Sequence, residues 1–174
     1  KTPYRISLGG GGTDLPFYAR EKGGKLISAT INQHVLTIIA KRQLDNKILV
    51  QSTDVQFANN LNNLNNKIIR EVLRYFKVYK SIQIATISSL QTGIGLGSSS
   101  SLIVGLVKGI STLNGIELSK MEIGHIAHHI ERVKLKYEGG IQDQYIAALG
   151  EVQTISIDTS GVVSASPLII DDNK

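Results

Sequence analysis

The chain has 174 residues, 41% hydrophobic and 19% charged, which suits one domain with a proper core and argues against disorder or a fibrous repeat. It has no cysteine, which excludes disulfides, thiolate metal sites and cysteine nucleophiles, and a reducing, cytoplasmic setting is expected. The +5 charge is dispersed, aromatics are only 5%, and no apolar run reaches the ~18 residues of a membrane span, so neither nucleic acid nor membrane is an expected partner.

Alternation over residues 4–8 predicts a first strand running directly into four glycines, 9–12. Residues 25–42 are rich in Ile, Val, Leu and Thr, long for one strand, and are expected to bend or divide. Residues 47–50 continue the sheet after a turn at Asp45-Asn46. The Asn-rich stretch 59–66 reads as a loop entering a helix, where Ile68, Ile69, Val72, Leu73 and Phe76 recur at helical spacing. Residues 82–87 alternate again as a strand.

A second glycine cluster follows, Gly93-Ile94-Gly95-Leu96-Gly97 with Ser98 to Ser101 behind it, and then a helix carrying Leu102, Ile103, Leu106, Val107, Ile110 and Leu113. Asn114-Gly115 stops that helix. Ser119 and Glu122 form a capping box for the next, whose apolar positions are Ile123, Ile126, Ala127, Ile130 and Val133. Glycines 139 and 140 break the chain before Asp143, a short helical stretch covers 145–149, and 151–157 and 162–169 read as closing strands. The class is mixed α and β.

The strand, Gly-rich turn, Ser run and helix from 82 to 113 are the strongest chemical signal. Glycines let backbone N–H groups converge without Cβ interference, and the helix N-terminus adds partial positive charge, so an anion fits there. Serine hydroxyls suit phosphate oxygens or a phosphate-bound Mg²⁺. The bland alternative is a flexible loop that starts a helix with a serine cap. The loop lacks the Gly-Lys-Ser/Thr of a Walker A motif and the third glycine of a dinucleotide fingerprint, where Ser98 stands.

Two further segments carry chemistry. Gly9 to Gly12 admit a ligand close to the backbone, with Asp14 either a hydroxyl acceptor or the cap of a helix over 15–20, and Arg5 able to neutralise an anion. Asp143 follows a Gly pair and is either a reactive carboxylate or a turn residue. Glu131 shares a helix face with Gly124, Ala127 and His128, and reads either as a site carboxylate or as a surface one beside Arg132. His125, His128 and His129 read as partly exposed helix histidines and not as a metal cluster.

Together these segments resemble the GHMP kinases, the small-molecule kinases named after galactokinase, homoserine kinase, mevalonate kinase and phosphomevalonate kinase. Gly93 to Ser99 is similar to that family's phosphate motif, with Gln91 where proline is usual, and Arg5-Ile6-Ser7 with Gly9 to Asp14 is similar to its N-terminal substrate motif. Gly140 to Tyr145 is similar to a segment of the branch that phosphorylates heptose phosphates, and Glu151 stands where the sugar kinases of the family commonly have a second glycine. The resemblance implies an α+β fold of the ribosomal protein S5 domain 2-like type, an antiparallel-rich sheet with helices on one side. It implies transfer of the γ-phosphoryl group of ATP to a hydroxyl of a sugar or sugar phosphate. By position, Asp143 and Arg5 would be catalytic. Gly93, Gly95, Leu96, Gly97, Ser98, Ser99 and Ser100 would bind the ATP phosphates, Ser99 and Glu131 would hold Mg²⁺, and Gly11, Gly12, Thr13 and Asp14 would bind the substrate. The chain reaches only Lys174, about half the family's usual size, so residues 1–174 correspond to the N-terminal domain. The C-terminal domain is expected to be absent, and self-association or a missing second half is the alternative to independent activity.

Overall fold

A computed structural model describes residues 1–88, 90 and 95–169. In chain order the elements are β1 (Thr2–Gly9), α1 (Pro16–Lys22), β2 (Gly24–Lys41), β3 (Ile48–Gln51), β4 (Val55–Ala58), α2 (Lys67–Tyr75), β5 (Ile82–Ser88), α3 (Ser98–Leu113), α4 (Lys120–His128), α5 (Gln142–Leu149), β6 (Val152–Ile157) and β7 (Val163–Pro167). The sheet has the order β4-β3-β5-β2-β6-β7, with β1 also on β2, and every pair is antiparallel except β3 with β5.

The long β-rich run that was expected to bend or divide is a single 18-residue strand. Its length is used up by three partners. Ile27 to Ala29 pair with β1 and β6 together, and Val35 pairs with β1 and β5 together. Two strands meet one residue only from opposite edges, so β1 follows one edge of β2 while β6 and β5 divide the other. Among the described strands β1 is thereby held by β2 alone, along almost its whole length, which fixes the position of Arg5 opposite Thr30.

Helices α2 to α5 cover one face. Ile48, Val50, Ile82 and Ile84 of the sheet pack with Ile69, Val72 and Leu73 of α2, Ile103, Leu106, Val107 and Ile110 of α3, and Ala127 of α4. Burial of such side chains contributes about 1.5–3 kcal/mol each. Alternation leaves the opposite face polar or open: Ile39 joins the core while Ile38 is 52% exposed. α3 lies unusually close to the sheet, since a Cβ on Gly105 would meet Thr2 Oγ1 at 2.7 Å and Thr37 Oγ1 at 3.0 Å. Among the described residues no helix is long and apolar enough to cross a membrane.

Local signals explain most helix ends. Asn66 caps α2 by accepting from Ile69 N–H, and the Ser119–Glu122 capping box opens α4. Of the two readings of Asp14 the cap falls away, and the placement of Val133 is corrected. Asp14 does not cap α1; Leu15 occupies that position without a side-chain bond, and Pro16 opens the helix. Val133 does not join the apolar face of α4, because the helix widens into a π turn at His129–Lys134, marked by Leu135 N–H bonding Ile130 C=O. The extra residue shifts the phase, so Ile130 and Glu131 turn inward and Val133 is 53% exposed.

Candidate active site

β1 and the glycine loop are strapped together. Arg5 N–H donates to Leu96 C=O at 3.2 Å, and Arg5 Nη1 donates to Gly95 C=O at 2.8 Å. Ser101 Oγ, one turn into α3, donates to Pro3 C=O at 2.8 Å. Gly97 takes the left-handed conformation (φ 72°, ψ 30°) immediately before α3, which glycine adopts without steric cost. The first helical bond of α3 runs from Ser101 N–H to Gly97 C=O, so the donors of Ser98, Ser99 and Ser100 lie outside the ladder at the positive end of the helix dipole. Gly93, which the motif includes, lies outside the described residues.

The same arginine reaches the third motif. Arg5 Nε donates to Asp143 Oδ1 at 2.7 Å, and its Nη2 lies 2.6 Å from the same oxygen. A Cβ on Gly97 would lie 3.3 Å from both Arg5 Cγ and Asp143 Oδ2, so loop, guanidinium and carboxylate are in mutual contact. Asp143 lies in the first turn of α5, and its position is fixed from two directions. Asp14 Oδ2 accepts from Gln142 N–H at 2.9 Å. Arg132 donates to the carbonyls of Gly140 at 3.0 Å, Glu138 at 2.9 Å and Tyr137 at 3.4 Å, holding the segment that leads into α5.

Glu131, turned inward by the π turn, is 1% exposed and meets the first turn of α3. Ser99 Oγ donates to its Oε1 and Ser100 Oγ to its Oε2, each at 2.6 Å. Gln144 Nε2 donates to Oε2 as well. The pair Ser99 Oγ and Glu131 Oε1 presents two hard oxygen donors side by side, which fits Mg²⁺, a cation commonly held by one or two protein ligands plus phosphate oxygens and water. Among the described residues no three His, Cys, Asp or Glu side chains group as a metal site, the helix histidines included.

The glycine segment before α1 is brought in less completely. Asp14 reaches the site, although one of its oxygens is committed to Gln142. Thr13 Oγ1 donates to Gly10 C=O at 2.8 Å and accepts from Lys25 N–H at 3.1 Å, so its hydroxyl serves the turn. Gly11 and Gly12 are exposed beside it. Ser100, expected at the phosphates, keeps its backbone N–H at the helix start while its hydroxyl is turned inward onto Glu131.

A cavity of about 810 Å³ opens beside Ser98, lined by Tyr4, Ser52, Thr53, Asn66, Ile68 and Leu102 among others. Its walls come from separated segments, so no linear pattern announces it. Tyr4 OH and Ser88 Oγ bond across its edge at 2.6 Å.

A glycine loop, a helix N-terminus, an arginine–carboxylate pair and a serine–glutamate pair converge in this α+β domain, an arrangement whose chemistry suits a phosphate group. Residues 63–151 match the GHMP kinases N terminal domain, and the chain belongs to that family. It is 32% identical to D-glycero-alpha-D-manno-heptose 7-phosphate kinase of Campylobacter jejuni, over 98% of this chain and 53% of the relative. Over a shorter stretch, 40% of this chain and 21% of the relative, it is 44% identical to mevalonate kinase of Saccharolobus solfataricus. The crystal structure of a D-glycero-D-manno-heptose 1-phosphate kinase from Bacteriodes thetaiotaomicron superposes with a TM-score of 0.90 at 28% identity, covering 98% of this chain and 59% of that one. Lactococcus lactis galactokinase, at 20% identity and a TM-score of 0.78 over 98% of this chain and 47% of that one, shares the fold. The fold is the ribosomal protein S5 domain 2-like arrangement of the family. The chain spans about half the length of these relatives.

Proposed function

We propose that this chain carries the phosphate-binding and catalytic half of an ATP-dependent kinase that phosphorylates a hydroxyl of a sugar phosphate, with D-glycero-D-manno-heptose 7-phosphate the first candidate. One observation carries the reading: Arg5 joins Asp143 to the loop 95–97, while Ser99 and Glu131 stand at the first turn of the helix behind that loop. Phosphoryl transfer asks chiefly for positioning and charge neutralisation, and these groups supply both.

In this reading the backbone donors of Gly95 to Ser100 receive the phosphates. Asp143 orients the acceptor hydroxyl and takes its proton, and Arg5 balances charge between that carboxylate and the phosphoryl group. Mg²⁺ held by Ser99 and Glu131 would neutralise phosphate charge when bound. Asp14 and the glycines before it face the sugar, and the cavity beside Ser98 receives the nucleoside. The substrate class is supported by the two heptose phosphate kinases that match almost the whole chain.

The test is ADP release with Mg-ATP against a panel of D-glycero-D-manno-heptose 7-phosphate, galactose and mevalonate. ADP dependent on the heptose phosphate supports the proposal; ADP with galactose or mevalonate alone moves the substrate class. Mg-ATP binding without turnover on any of them favours the second reading, a nucleotide-binding domain that works with a further domain or partner chain. That reading is motivated by the 53% and 59% coverage of the relatives.

A further inference from the structure

Gln144 is fully buried, at 0% exposure, and lies directly behind Glu131. Its Nε2 donates to Glu131 Oε2 and to Ser100 Oγ, the latter at 3.1 Å, while its Oε1 is buried with no hydrogen-bond partner among the described residues. Turning the amide over would set its carbonyl against Oε2, acceptor facing acceptor. The donor therefore faces Glu131, and the carbonyl is left over. A buried unpaired acceptor is destabilising, so this orientation is held against a cost to folding.

The two oxygens of Glu131 are thereby treated differently. Oε2 is fixed by two donors, Ser100 Oγ and Gln144 Nε2. Among the described residues Oε1 accepts only from Ser99 Oγ, a hydroxyl that is free to rotate and present a lone pair instead. The nearest cation, Arg132 Nη1, is 3.9 Å from Oε1. We infer that Gln144 is a positioning residue: it holds Glu131 by one oxygen so that the other, together with Ser99 Oγ, is presented to a divalent cation. The inference rests on the reading above in which Ser99 and Glu131 hold the metal. Because Gln144 is neutral, it orients the carboxylate without cancelling the charge that attracts the cation.

The experiment measures Mn²⁺ binding in the presence of ATP, by the electron paramagnetic resonance signal of free Mn²⁺, together with thermal unfolding. The proteins are the parental chain, Glu131→Gln, Gln144→Met and Gln144→Leu. Both Gln144 variants remove the donor and the unpaired carbonyl together but differ in shape, so a packing cost confined to one leaves the other informative. The expected result is Mn²⁺ affinity about ten-fold weaker in both, with unfolding midpoints close to parental. Parental Mn²⁺ affinity in a folded Gln144 variant, alongside clear loss in Glu131→Gln, overturns the role of Gln144 alone. Unchanged binding in Glu131→Gln, or none by the parental chain, overturns the underlying metal reading and the inference with it.

Discussion

Arg5 and Asp143 stand 138 residues apart in the chain, yet Arg5 Nε is 2.7 Å and Nη2 2.6 Å from one oxygen of the carboxylate. The other oxygen, Oδ2, faces Gly97, where the glycine loop enters α3. One oxygen is thus spent on the arginine, and the other lies toward the glycine loop.

Replacing Asp143 with Asn keeps the shape and removes the carboxylate that the proposed reading makes the proton acceptor. Turnover is expected to fall by roughly 10²–10⁴-fold, with ATP affinity within a few-fold of parental. ADP release and calorimetric ATP titration check this; a variant with parental turnover removes Asp143 from the chemistry.

Arg132 is expected to matter through the segment 137–140 that it holds. Arg132→Ala leaves the carbonyls of Gly140, Glu138 and Tyr137 without their donor and removes the cation nearest Glu131, for a loss of about 2–3 kcal/mol. Arg132→Lys recovers little, since an ammonium lacks the planar fork that serves three acceptors. Urea unfolding of the two variants provides the comparison.

Gly140→Ala probes close approach. A Cβ there would lie 2.1 Å from Asp14 Oδ2, so Asp14 must move and release Gln142 N–H. The expected cost is about 2–3 kcal/mol, with turnover falling further than stability alone explains, because α5 begins at that hydrogen bond. Parallel denaturation and initial-rate measurements separate the two effects.

His128 predicts a pH dependence. Burial, followed by the charges of Arg132 and His125, holds its imidazole down to about 4 from 6.5, against an opposing pull from Glu131. Between those values the unfolded chain binds a proton that the native chain refuses, so stability falls as pH drops from about 6.5 to about 4. The effect is on the order of 2 kcal/mol once the partial exposure of the ring is allowed for. Glu122 and Asp158, whose carboxyls are lowered chiefly by hydrogen bonds from Ser119 and Ser160, slope the same way. His128→Gln therefore flattens the curve between pH 6.5 and 4 without abolishing it.

The glycine and serine loop, the capping box at Ser119 and the apolar face of α3 were legible in the sequence because each is set by neighbours within a few residues. β4 was not. It is four residues long, leaves Val55 and Phe57 exposed, and is held by register with β3, a property of the partner strand. The π turn was hidden for a related reason. Regular helical spacing placed Val133 with Ile130, and only packing against α3 and α5 rewards the extra residue that turns Glu131 inward. Asp14 offered two local readings, cap or ligand. Its bond to Gln142 N–H, across 128 residues, belonged to neither.

β2 has a consequence for synthesis on the ribosome. Its Gly24–Ala29 half finds its partner on one edge only when residues 152–157 emerge, whereas its Val35–Lys41 half is already paired by residues 82–88. A nascent chain that ends before β6 carries an apolar strand with one unpaired edge, a template for association with other chains. Arg5 waits equally long for Asp143. The Arg5–Asp143 pair and the covered edge of β2 are therefore completed by almost the same stretch of chain, so covering that edge and closing the ion pair are nearly one event in synthesis.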